Sequence, residues 1–335
     1  MSVTTHDIAR ECNVSRGTVD RALNARSGVS EKTRQLVLKK AEEMGYRPHQ
    51  LARALVKGKT MSIGVIVFDL YNSFFASLLN SIESMAKELG FFVNITLTNK
   101  DPAREIECIE HLMNGRVDGL IICPVNRGEE FAKYIRTLSI PVVTVLNALE
   151  DDHIPYVGIN QFRAMYEATQ YVISKGYGRT IFFCPPIANR DRMNVYSQEQ
   201  RYLGYLEAVS NSETPVESTV FTKSAYQDLI PLIMDSSSKK TAVICSSDIF
   251  ALNLINHLKL RGVNVPYKVG VMGFDNIDEN KYVIPALSTV SIPIQQLGEV
   301  AASVLIQKIN QEDTLTEGPP FHFLNYDIIP GQTII

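Results

Sequence analysis

The feature that most constrains this fold is a regular alternation of short apolar runs and amphipathic segments, which begins at Met61 and continues to about residue 274. The first run, Ile63 to Val67, is valine and isoleucine apart from Gly64. Strands that are apolar on both faces and separated by helices are typical of a parallel sheet covered on both sides. The order repeats from Thr180, so two successive doubly wound α/β halves are the best fit.

The alternation predicts the individual elements of both halves. The predicted strands span residues 63–67, 92–96, 119–123, 142–145, 180–184, 216–221, 242–245 and 269–274. The predicted helices span residues 74–89, 103–114, 129–138, 198–209, 226–234 and 249–261.

The first 46 residues instead predict three short helices. One covers about Thr4 to Cys12, with Thr4 or Thr5 as its cap. Asn13-Val14 forms a turn, and Ser15 caps a second helix that ends near Leu23. The third helix begins after Ser30 and ends near Met44, and its inner face is predicted to carry Leu36, Val37, Ala41 and Met44.

The second helix presents a polar, partly basic side to a partner. Val19, Ala22 and Leu23 fall on its inner side at helical spacing, while Arg16 and Arg21 point away. Two short helices joined by a tight turn are typical of the helix-turn-helix, whose second helix enters the DNA major groove. The alternative is a small helical hairpin packed on a larger domain.

The charge distribution favours DNA as the partner of this head. The whole chain carries a formal net charge of -3, but residues 1 to 60 hold 12 Lys and Arg against 6 Asp and Glu, a net +6. The remainder holds 21 against 30, a net -9. A basic head on an acidic body is expected when only the head meets phosphates.

Several other classes of protein lack support in the sequence. No apolar run approaches the roughly 20 residues that span a bilayer, and the first residues lack a signal-peptide pattern, so we expect a cytoplasmic protein that does not enter membranes. The five cysteines show no Cys-x-x-Cys spacing, which predicts buried thiols and no metal site. Nucleotide-binding glycine motifs and a zinc-protease helix are also missing, so we expect neither catalysis nor a cofactor.

A short helical pattern, residues 49–56, separates head from body. Its small residues, its arginine and Leu55 would suit a segment that orders on binding and wedges into a minor groove. An inert linker is the alternative.

Polar and aromatic residues follow the predicted strands of the body. Ligands in doubly wound sheets bind beyond the carboxyl ends of the strands. Hydroxyl-pairing groups beside aromatic rings indicate a sugar or polyol site. The residues at these ends are Asp69, Tyr71, Asn72, Phe74, Asn126, Ser247, Asp248 and Asp275.

Motifs along nearly the whole chain resemble the lactose/galactose repressor (LacI/GalR) family of bacterial transcription regulators. The head motifs are the most specific, and they lie at Val3 to Ala9, Val14 to Asn24, Val29-Ser30, Gly45-Tyr46 and Ala52 to Leu55. The body motifs also suit periplasmic sugar-binding proteins, and they lie at Val117 to Ile121, Ile140 to Val143, Arg201 to Tyr205, Ser247-Asp248, Gly273 to Asp275 and Pro285 to Val290.

The resemblance implies a three-helix head and a two-lobed body folded like a periplasmic binding protein. The implied domains are a DNA-binding head (residues 1–46), a hinge helix and linker (47–60) and an effector-binding and dimerisation body (61–335). The first lobe would hold about 61–160 and 292–318, and the second about 161–291 and 319–335. The family acts as a homodimer, sometimes a tetramer, on pseudo-palindromic double-stranded operators. The chain would cross between lobes near Asn160, Ser291 and residues 317–321.

The resemblance also implies which residues meet DNA. Arg16, Gly17 and Arg21 occupy positions that read base edges. Because Gly17 has no side chain, the two arginines would supply most of the readout, at guanines. Asp20 would accept from cytosine or orient one of these arginines. Thr4, Thr18 and Asn24 would hold phosphates or support docking, while Ala52 and Leu55 belong to the hinge, whose leucine inserts into the minor groove.

For the effector, Phe74 and Phe75 match a stacking position, and Arg201 and Asp275 match positions that bind ligand hydroxyls. Asp248 follows the same pattern. Asn160 stands where Asp is usual and Ser247 where Asn is usual, so the hydrogen-bond pattern of the ligand does not carry over from a relative. With Asp69 and Asn126 from the strand ends, these residues form the predicted ligand site.

The function predicted from these observations is a repressor whose operator affinity responds to a small sugar or polyol. Two alternatives stay open. One is a regulator that binds DNA only with a corepressor, such as a purine or a partner phosphoprotein. The other is a sugar-binding or sugar-processing protein whose head mediates protein contacts.

Overall fold

The computed structural model describes most of the chain, and the described residues are 3–46, 59–235, 239–310 and 321–335. The chain divides into two compact units, residues 1–60 and 61–335. The predicted hinge helix, with Ala52 and Leu55, lies outside the described residues.

The head contains three helices, which the sequence places correctly: α1 (Thr5–Glu11), α2 (Arg16–Leu23) and α3 (Glu31–Glu43). A hydroxyl residue precedes each helix, and its side chain accepts a hydrogen bond from a backbone N–H in the first turn. These caps are Thr4, Ser15 and Ser30. Thr4 also completes a capping box with Asp7, whose carboxylate accepts from the backbone N–H of Thr4 at 3.0 Å.

A small apolar core holds the three helices together. Its buried members are Ile8, Ala9, Cys12, Val19, Ala22, Val37 and Ala41. The prediction that Leu36 belongs to the inner face is wrong, since 49% of this residue is exposed. Val37 and Ala41 lie four residues apart and share one face of α3, whereas Leu36 is rotated by about 100° from Val37.

The first lobe of the body contains a six-stranded, entirely parallel sheet. Its strands are β1 (Ser62–Val67), β2 (Phe92–Leu97), β3 (Leu120–Ile122), β4 (Val142–Val145), β5 (Tyr156–Ile159) and β11 (Phe321–Leu324), in the order β11-β5-β4-β3-β1-β2. The helices of this lobe are α4 (Ser73–Glu88), α5 (Pro102–Asn114), α6 (Gly128–Thr137) and α11 (Ile294–Asn310). The near-continuous burial of β1, β3, β4 and β5 explains their unbroken apolar runs.

The second lobe repeats the design around a four-stranded parallel sheet. Its strands are β6 (Arg179–Phe183), β7 (Glu217–Phe221), β8 (Thr241–Cys245) and β9 (Gly270–Met272), in the order β7-β6-β8-β9. Its helices are α7 (Gln161–Ser174), α8 (Tyr196–Ser210), α9 (Tyr226–Met234) and α10 (Asp248–Lys259). An antiparallel pair, β10 (Thr289–Ser291) and β12 (Asp327–Ile329), borders this sheet through bridges at Met272 and Asp275.

The third passage between the lobes corrects a predicted boundary. The resemblance places this crossing near residues 317–321 and assigns residue 319 onward to the second lobe. However, β11 pairs in parallel with β5 of the first lobe, from Phe321 opposite Tyr156 to Leu324 opposite Ile159. The chain therefore returns to the second lobe only between β11 and β12.

The periodicity also missed several elements. Among the described residues, β5, α7, α11 and the last strands are absent from the predicted pattern. β5 has only four residues, and Gly158 leaves room for the Tyr156 ring, whose hydroxyl would lie 2.1 Å from an added Cβ. A short strand with a central glycine carries little propensity signal.

Three further features concern the part of the chain that the structure describes. Over the part of the chain that the structure describes, no helix combines the length and the hydropathy that a bilayer crossing requires. The five cysteines are buried free thiols, as predicted. The described residues contain no group of His, Cys, Asp and Glu side chains that could hold a metal ion.

Gly204 allows α7 and α8 to pack with their backbones in close approach. A Cβ at Gly204 would lie 2.1 Å from the carbonyl oxygen of Phe162 and 3.1 Å from the backbone nitrogen of Tyr166. Both atoms belong to the backbone of α7, so they cannot move aside as a flexible side chain does.

We therefore expect Gly204→Ala to lower the free energy of unfolding of the body by about 3 kcal/mol. Chemical denaturation of the full chain measures this loss. Gly178→Ala is the matched control, because its Cβ would meet only the side chain of Lys239, at 3.3 Å or more. Equal stability of the two variants would contradict the close approach.

Candidate functional site

The candidate DNA-reading face of the head is the exposed side of α2. Arg16, Gly17 and Arg21 are all exposed there, and neither arginine forms an ion pair with a described residue. Arg21 lies partly over Gly17, since an added Cβ at Gly17 would be 3.7 Å from a terminal guanidinium nitrogen. Two unpaired arginines beside bare helix backbone form a cationic, sterically open surface.

The residues expected to support docking are engaged in local contacts. The Thr4 and Thr18 side chains belong to the caps of α1 and α2, where Thr18 Oγ1 lies 2.9 Å from the hydroxyl of Ser15. Asn24 donates to the Asp20 carboxylate at 2.9 Å. Asp20 also lies 3.4 Å from Arg26, so among the arginines it pairs with this one rather than with Arg16 or Arg21.

A cavity of about 360 Å³ lies between the two lobes of the body. The first lobe contributes residues that follow β1, β2, β3 and β4, and the second lobe contributes residues that follow each strand of its sheet. This is the position expected for a ligand in doubly wound sheets, and the volume falls in the range of roughly 300–1,000 Å³ typical of small-molecule sites.

Five of the nine predicted ligand residues line this cavity. They are Phe74 and Phe75 from the first lobe and Arg201, Ser247 and Asp275 from the second. Phe74, Phe75 and the additional residue Phe68 form an aromatic group in which neighbouring rings meet edge to face, with centroids 5.4 and 5.6 Å apart. Phe250 adds a ring from the second lobe.

Arg201 and Asp275 form a buried ion pair at the cavity. A terminal nitrogen of Arg201 lies 3.3 Å from Asp275 Oδ1, and Arg201 Nε donates to Gln161 at 2.8 Å. The guanidinium carbon lies 3.7 Å from the ring centroid of Phe274, and another terminal nitrogen donates to the carbonyl of Ser246. The charge of Arg201 is therefore compensated by its own lobe.

Burial shifts the pKa of both partners. It raises the pKa of the Asp275 carboxyl to about 7, although the positive charge of Arg201 opposes this shift. Burial also lowers the pKa of the Arg201 guanidinium, which the Asp275 charge opposes. Asp275 has a φ of 115°, a region that few residues other than Gly, Asn and Asp adopt.

Four predicted ligand residues do not line the cavity. Asn160 is exposed and caps α7 by accepting from the backbone N–H of Arg163 at 2.9 Å. Asp69 accepts from the backbone N–H of Tyr71 at 3.1 Å within its own loop. Both side chains satisfy nearby backbone groups, which is the common role of Asn and Asp at such positions.

Asn126 in the first lobe and Asp248 in the second lobe form hydrogen bonds within their own lobes. Asn126 donates to the carboxylate of Glu105 at 2.8 Å. Asp248 is completely buried and accepts from the backbone N–H of Ile277 at 3.0 Å and from Thr289 Oγ1 at 2.6 Å. It joins the start of α10 to segments that follow β9.

The cavity also contains residues that the sequence prediction did not select. Asn72 was noted only as a strand-end residue, and this position could have marked it as a ligand residue. Gln198 could have been selected because it lies three residues before Arg201 on the same helix face. Lys100, which follows β2, lies 3.8 Å from Asp69. Asn147 and Asn194 come from irregular segments that no periodicity marks.

Three polar groups on the lining offer free hydrogen-bonding capacity. The Ser247 hydroxyl and Asn72 Nδ2 form no hydrogen bond with a described residue, and Asp275 Oδ2 likewise has no described donor. Asn72 uses its oxygen to cap α4, which leaves its two N–H donors available. Aromatic faces beside unpaired donors and acceptors can bind a small molecule that carries hydroxyl groups.

The raised pKa of Asp275 predicts a pH dependence of stability. Because the carboxyl binds its proton more tightly when folded, its favourable contribution is complete below the unfolded pKa near 3.8 and is lost as the pH rises through about 7. We expect Asp275→Asn, which also tolerates the positive φ, to gain thermal stability relative to the unmodified chain as the pH rises from 5 to 8.

Calorimetry at several pH values measures this difference. Asp191→Asn is the control, since 93% of the Asp191 side chain is exposed, and its difference from the unmodified chain should stay constant. A constant difference for Asp275→Asn as well would show that the carboxyl is ionised throughout this range.

Comparisons with known proteins match both the head and the body to the same family. Residues 60–318 match the family of periplasmic binding proteins and sugar binding domain of LacI family, and residues 4–49 match the bacterial regulatory proteins of the lacI family. Catabolite control protein A of Priestia megaterium is 30% identical over 317 residues, which cover 93% of this chain and 94% of the relative. The HTH-type transcriptional regulator RegA of Clostridium saccharobutylicum is 29% identical, and the match covers 100% of both chains.

A solved structure extends the agreement to the fold. The Lac repressor dimer bound to operator and the anti-inducer ONPF superposes with a TM-score of 0.85 at 21% identity, over 100% of both chains. The predicted architecture, a helix-turn-helix head and a body of two parallel doubly wound lobes, is confirmed. The chain belongs to the LacI family of bacterial regulatory proteins, and it is a DNA-binding transcriptional regulator.

Proposed function

We propose that this regulator is a repressor whose operator affinity is controlled by a small neutral sugar or polyol bound between its lobes. The observation that carries the proposal is the composition of the cavity. Phenylalanine rings from both lobes lie beside the unpaired polar atoms of Asn72, Ser247 and Asp275. Rings suit the apolar face of a carbohydrate, and the polar atoms suit its hydroxyls.

The charges at the cavity support a neutral effector. Arg201 is paired with Asp275, and Lys100 with Asp69. An anionic ligand would have to compete with these carboxylates. A corepressor such as a purine would also stack on the rings. Whether the ligand strengthens or weakens operator binding depends on which lobe arrangement it favours.

We propose a homodimer as the DNA-binding form. Strand β2 is an open edge of the first lobe's sheet, and it exposes 67% of Phe92 and 49% of Ile95. Large apolar residues on an open edge are typical of a surface that a partner covers. The Lac repressor of similar fold is a dimer on its operator. We also propose that the working protein is cytoplasmic, because its partner is operator DNA.

Arg21→Ala tests the reading face of the head. We expect it to weaken binding to the selected duplex by about 1–3 kcal/mol and to relax specificity at one base position, because a guanidinium reads guanine through two hydrogen bonds. Fluorescence anisotropy with a duplex selected in vitro by the full chain, and with a scrambled duplex, gives both quantities.

Lys39→Ala is the control for the loss of one positive charge. Lys39 is exposed and lies on α3, outside the candidate reading helix α2. It should change the affinity for both duplexes by a similar small factor. If Arg21→Ala weakened the two duplexes equally, Arg21 would contact only phosphates.

A thermal-shift screen of neutral monosaccharides, disaccharides and polyols tests the effector. A true ligand at 100 times its dissociation constant stabilises the body by about 2.7 kcal/mol. We expect Ser247→Ala to lower the affinity for that ligand by up to about tenfold, because the substitution deletes one hydrogen bond. The stability of the free protein should not change.

Ser210→Ala serves as the control, because Ser210 is exposed at the far end of α8. It should leave the ligand affinity unchanged. Stabilisation by purine bases alone, with no response to any carbohydrate, would replace the proposed effector class by the corepressor alternative.

A further inference from the structure

One group of neutral hydrogen bonds joins the two lobes beside the cavity, and we call these five bonds the cross-lobe joint. Asn147 of the first lobe donates to the carbonyl of Asn194 at 3.0 Å and accepts from the backbone N–H of Ser197 at 3.1 Å. Asn194 in turn donates through its side chain to the carbonyl of Ala148 at 3.0 Å and through its backbone to that of Val125 at 2.7 Å. The Ser197 hydroxyl donates to the carbonyl of Leu146.

The first-lobe half of the joint depends on the segment Pro124 to Asn126, which follows β3. The carbonyl of Val125 receives Asn194, and the carbonyl of Pro124 accepts from Asn147 at 3.1 Å. Val125 and Asn147 also line the cavity. The position of this short segment therefore fixes both the joint and part of the cavity wall.

Glu105 on α5 holds this segment from inside the first lobe. One carboxylate oxygen accepts from the backbone N–H of Val125 at 2.9 Å. The other accepts from the backbone N–H of Asn126 at 2.7 Å and from its side chain at 2.8 Å. Both carboxylate oxygens and the three N–H donors are thereby satisfied.

The chemistry of this contact requires a carboxylate. Glu105 is completely buried, and no described cation pairs with it. Burial raises the pKa of Glu105, and the three N–H donors oppose that shift by stabilising the anion. A buried acid without a counterion is costly for the stability of a protein, so its presence calls for a specific role. A neutral amide could not accept all three donors in the same geometry, because one of its two terminal atoms is itself a donor.

We propose that Glu105 is a positioning residue for the joint between the lobes: it holds the carbonyls of Pro124 and Val125 where Asn147 and Asn194 bind them. Glu105 touches neither the cavity nor the second lobe, so it acts only through the 124–126 segment. The inference rests on the proposed function only in so far as the joint borders the effector cavity.

Amide hydrogen exchange of the free full-length protein tests this role. In Glu105→Gln we expect the backbone N–H groups of Asn194 and Ser197, which lie in the second lobe, to exchange about tenfold faster, the effect of weakening one hydrogen bond. Exchange in β8, at the centre of the second lobe's sheet, should be unchanged. Glu107→Gln is the matched control on the same helix, since 63% of the Glu107 side chain is exposed and its one ion pair among the described residues is with Arg104.

A residue that merely stabilises its own lobe gives a different result. In that case exchange rises in α5 and at residues 124–126, while Asn194 and Ser197 keep their protection, and the proposal is overturned. No effector or DNA enters the measurement, so the absence of a carbohydrate ligand leaves its outcome unaffected.

The reverse experiment covers the case in which Glu105→Gln does not fold. Asn147→Ala removes the side chain that donates to the carbonyls of Pro124 and Asn194 and accepts from the backbone N–H of Ser197, and it leaves Glu105 intact. We expect the amides of Val125 and Asn126, which donate to Glu105, to exchange about tenfold faster, because the joint and its support act as one unit. Unchanged exchange at these two amides would show that Glu105 and the joint are independent.

Discussion

The burial of Arg201 is the constraint on which the body's cavity depends. A guanidinium removed from water must have its charge and its donors satisfied by the protein. Arg201 draws these partners from three places: Gln161 on α7, the carbonyl of Ser246 after β8, and Asp275 after β9. Because α8 presents the arginine to all of them, the ends of two strands and two helices are fixed relative to one another on the second-lobe side of the cavity.

This internal pairing determines what the cavity offers to a ligand. The positive charge of Arg201 is paired with Asp275 and lies over the ring of Phe274. The surface left to a ligand is therefore made of phenylalanine rings and neutral or paired polar groups. A charged ligand that paired with Arg201 or Asp275 would have to displace the other partner, and a buried pair with one partner removed is strongly destabilising. The same arrangement that stabilises the lobe therefore supports the proposed neutral effector.

The sequence predicted the strands that carry the cavity better than the residues that line it. Apolar runs show where strands end; Ser247 and Asp275 were selected by that logic, and Arg201 by family resemblance. Asn160 and Asp69 stand at equivalent ends, but their side chains cap backbone groups, a choice that depends on local rotation and not on chain position. Leu36 shows the same limit: it precedes the buried Val37 by one residue on the helix, and this step around the helix axis leaves it on the surface.

Asn147 and Asn194 escaped prediction for another reason. Each lies in an irregular segment, and each is recognisable only through its partner in the other lobe. Contacts between residues that are distant in sequence leave no periodic trace. The hydrogen bonds of Glu105 are of this kind too: its carboxylate reads in the sequence as an ordinary first-turn acid of α5, and only the fold shows that it reaches residues 125 and 126.

The neutral character of the cross-lobe joint suits a protein controlled by a small ligand. The five hydrogen bonds of the joint, each worth about 0.5–1.5 kcal/mol net, contribute a few kcal/mol in total, beside other contacts between the lobes that include Arg127 with Glu199. Moving a two-state equilibrium from 1:99 to 99:1 takes about 5.5 kcal/mol of differential binding. A ligand of micromolar affinity has about 8 kcal/mol available. The joint alone therefore costs less to open than the binding of such a ligand makes available, so its amide and hydroxyl contacts leave this part of the contact between the lobes responsive to the ligand.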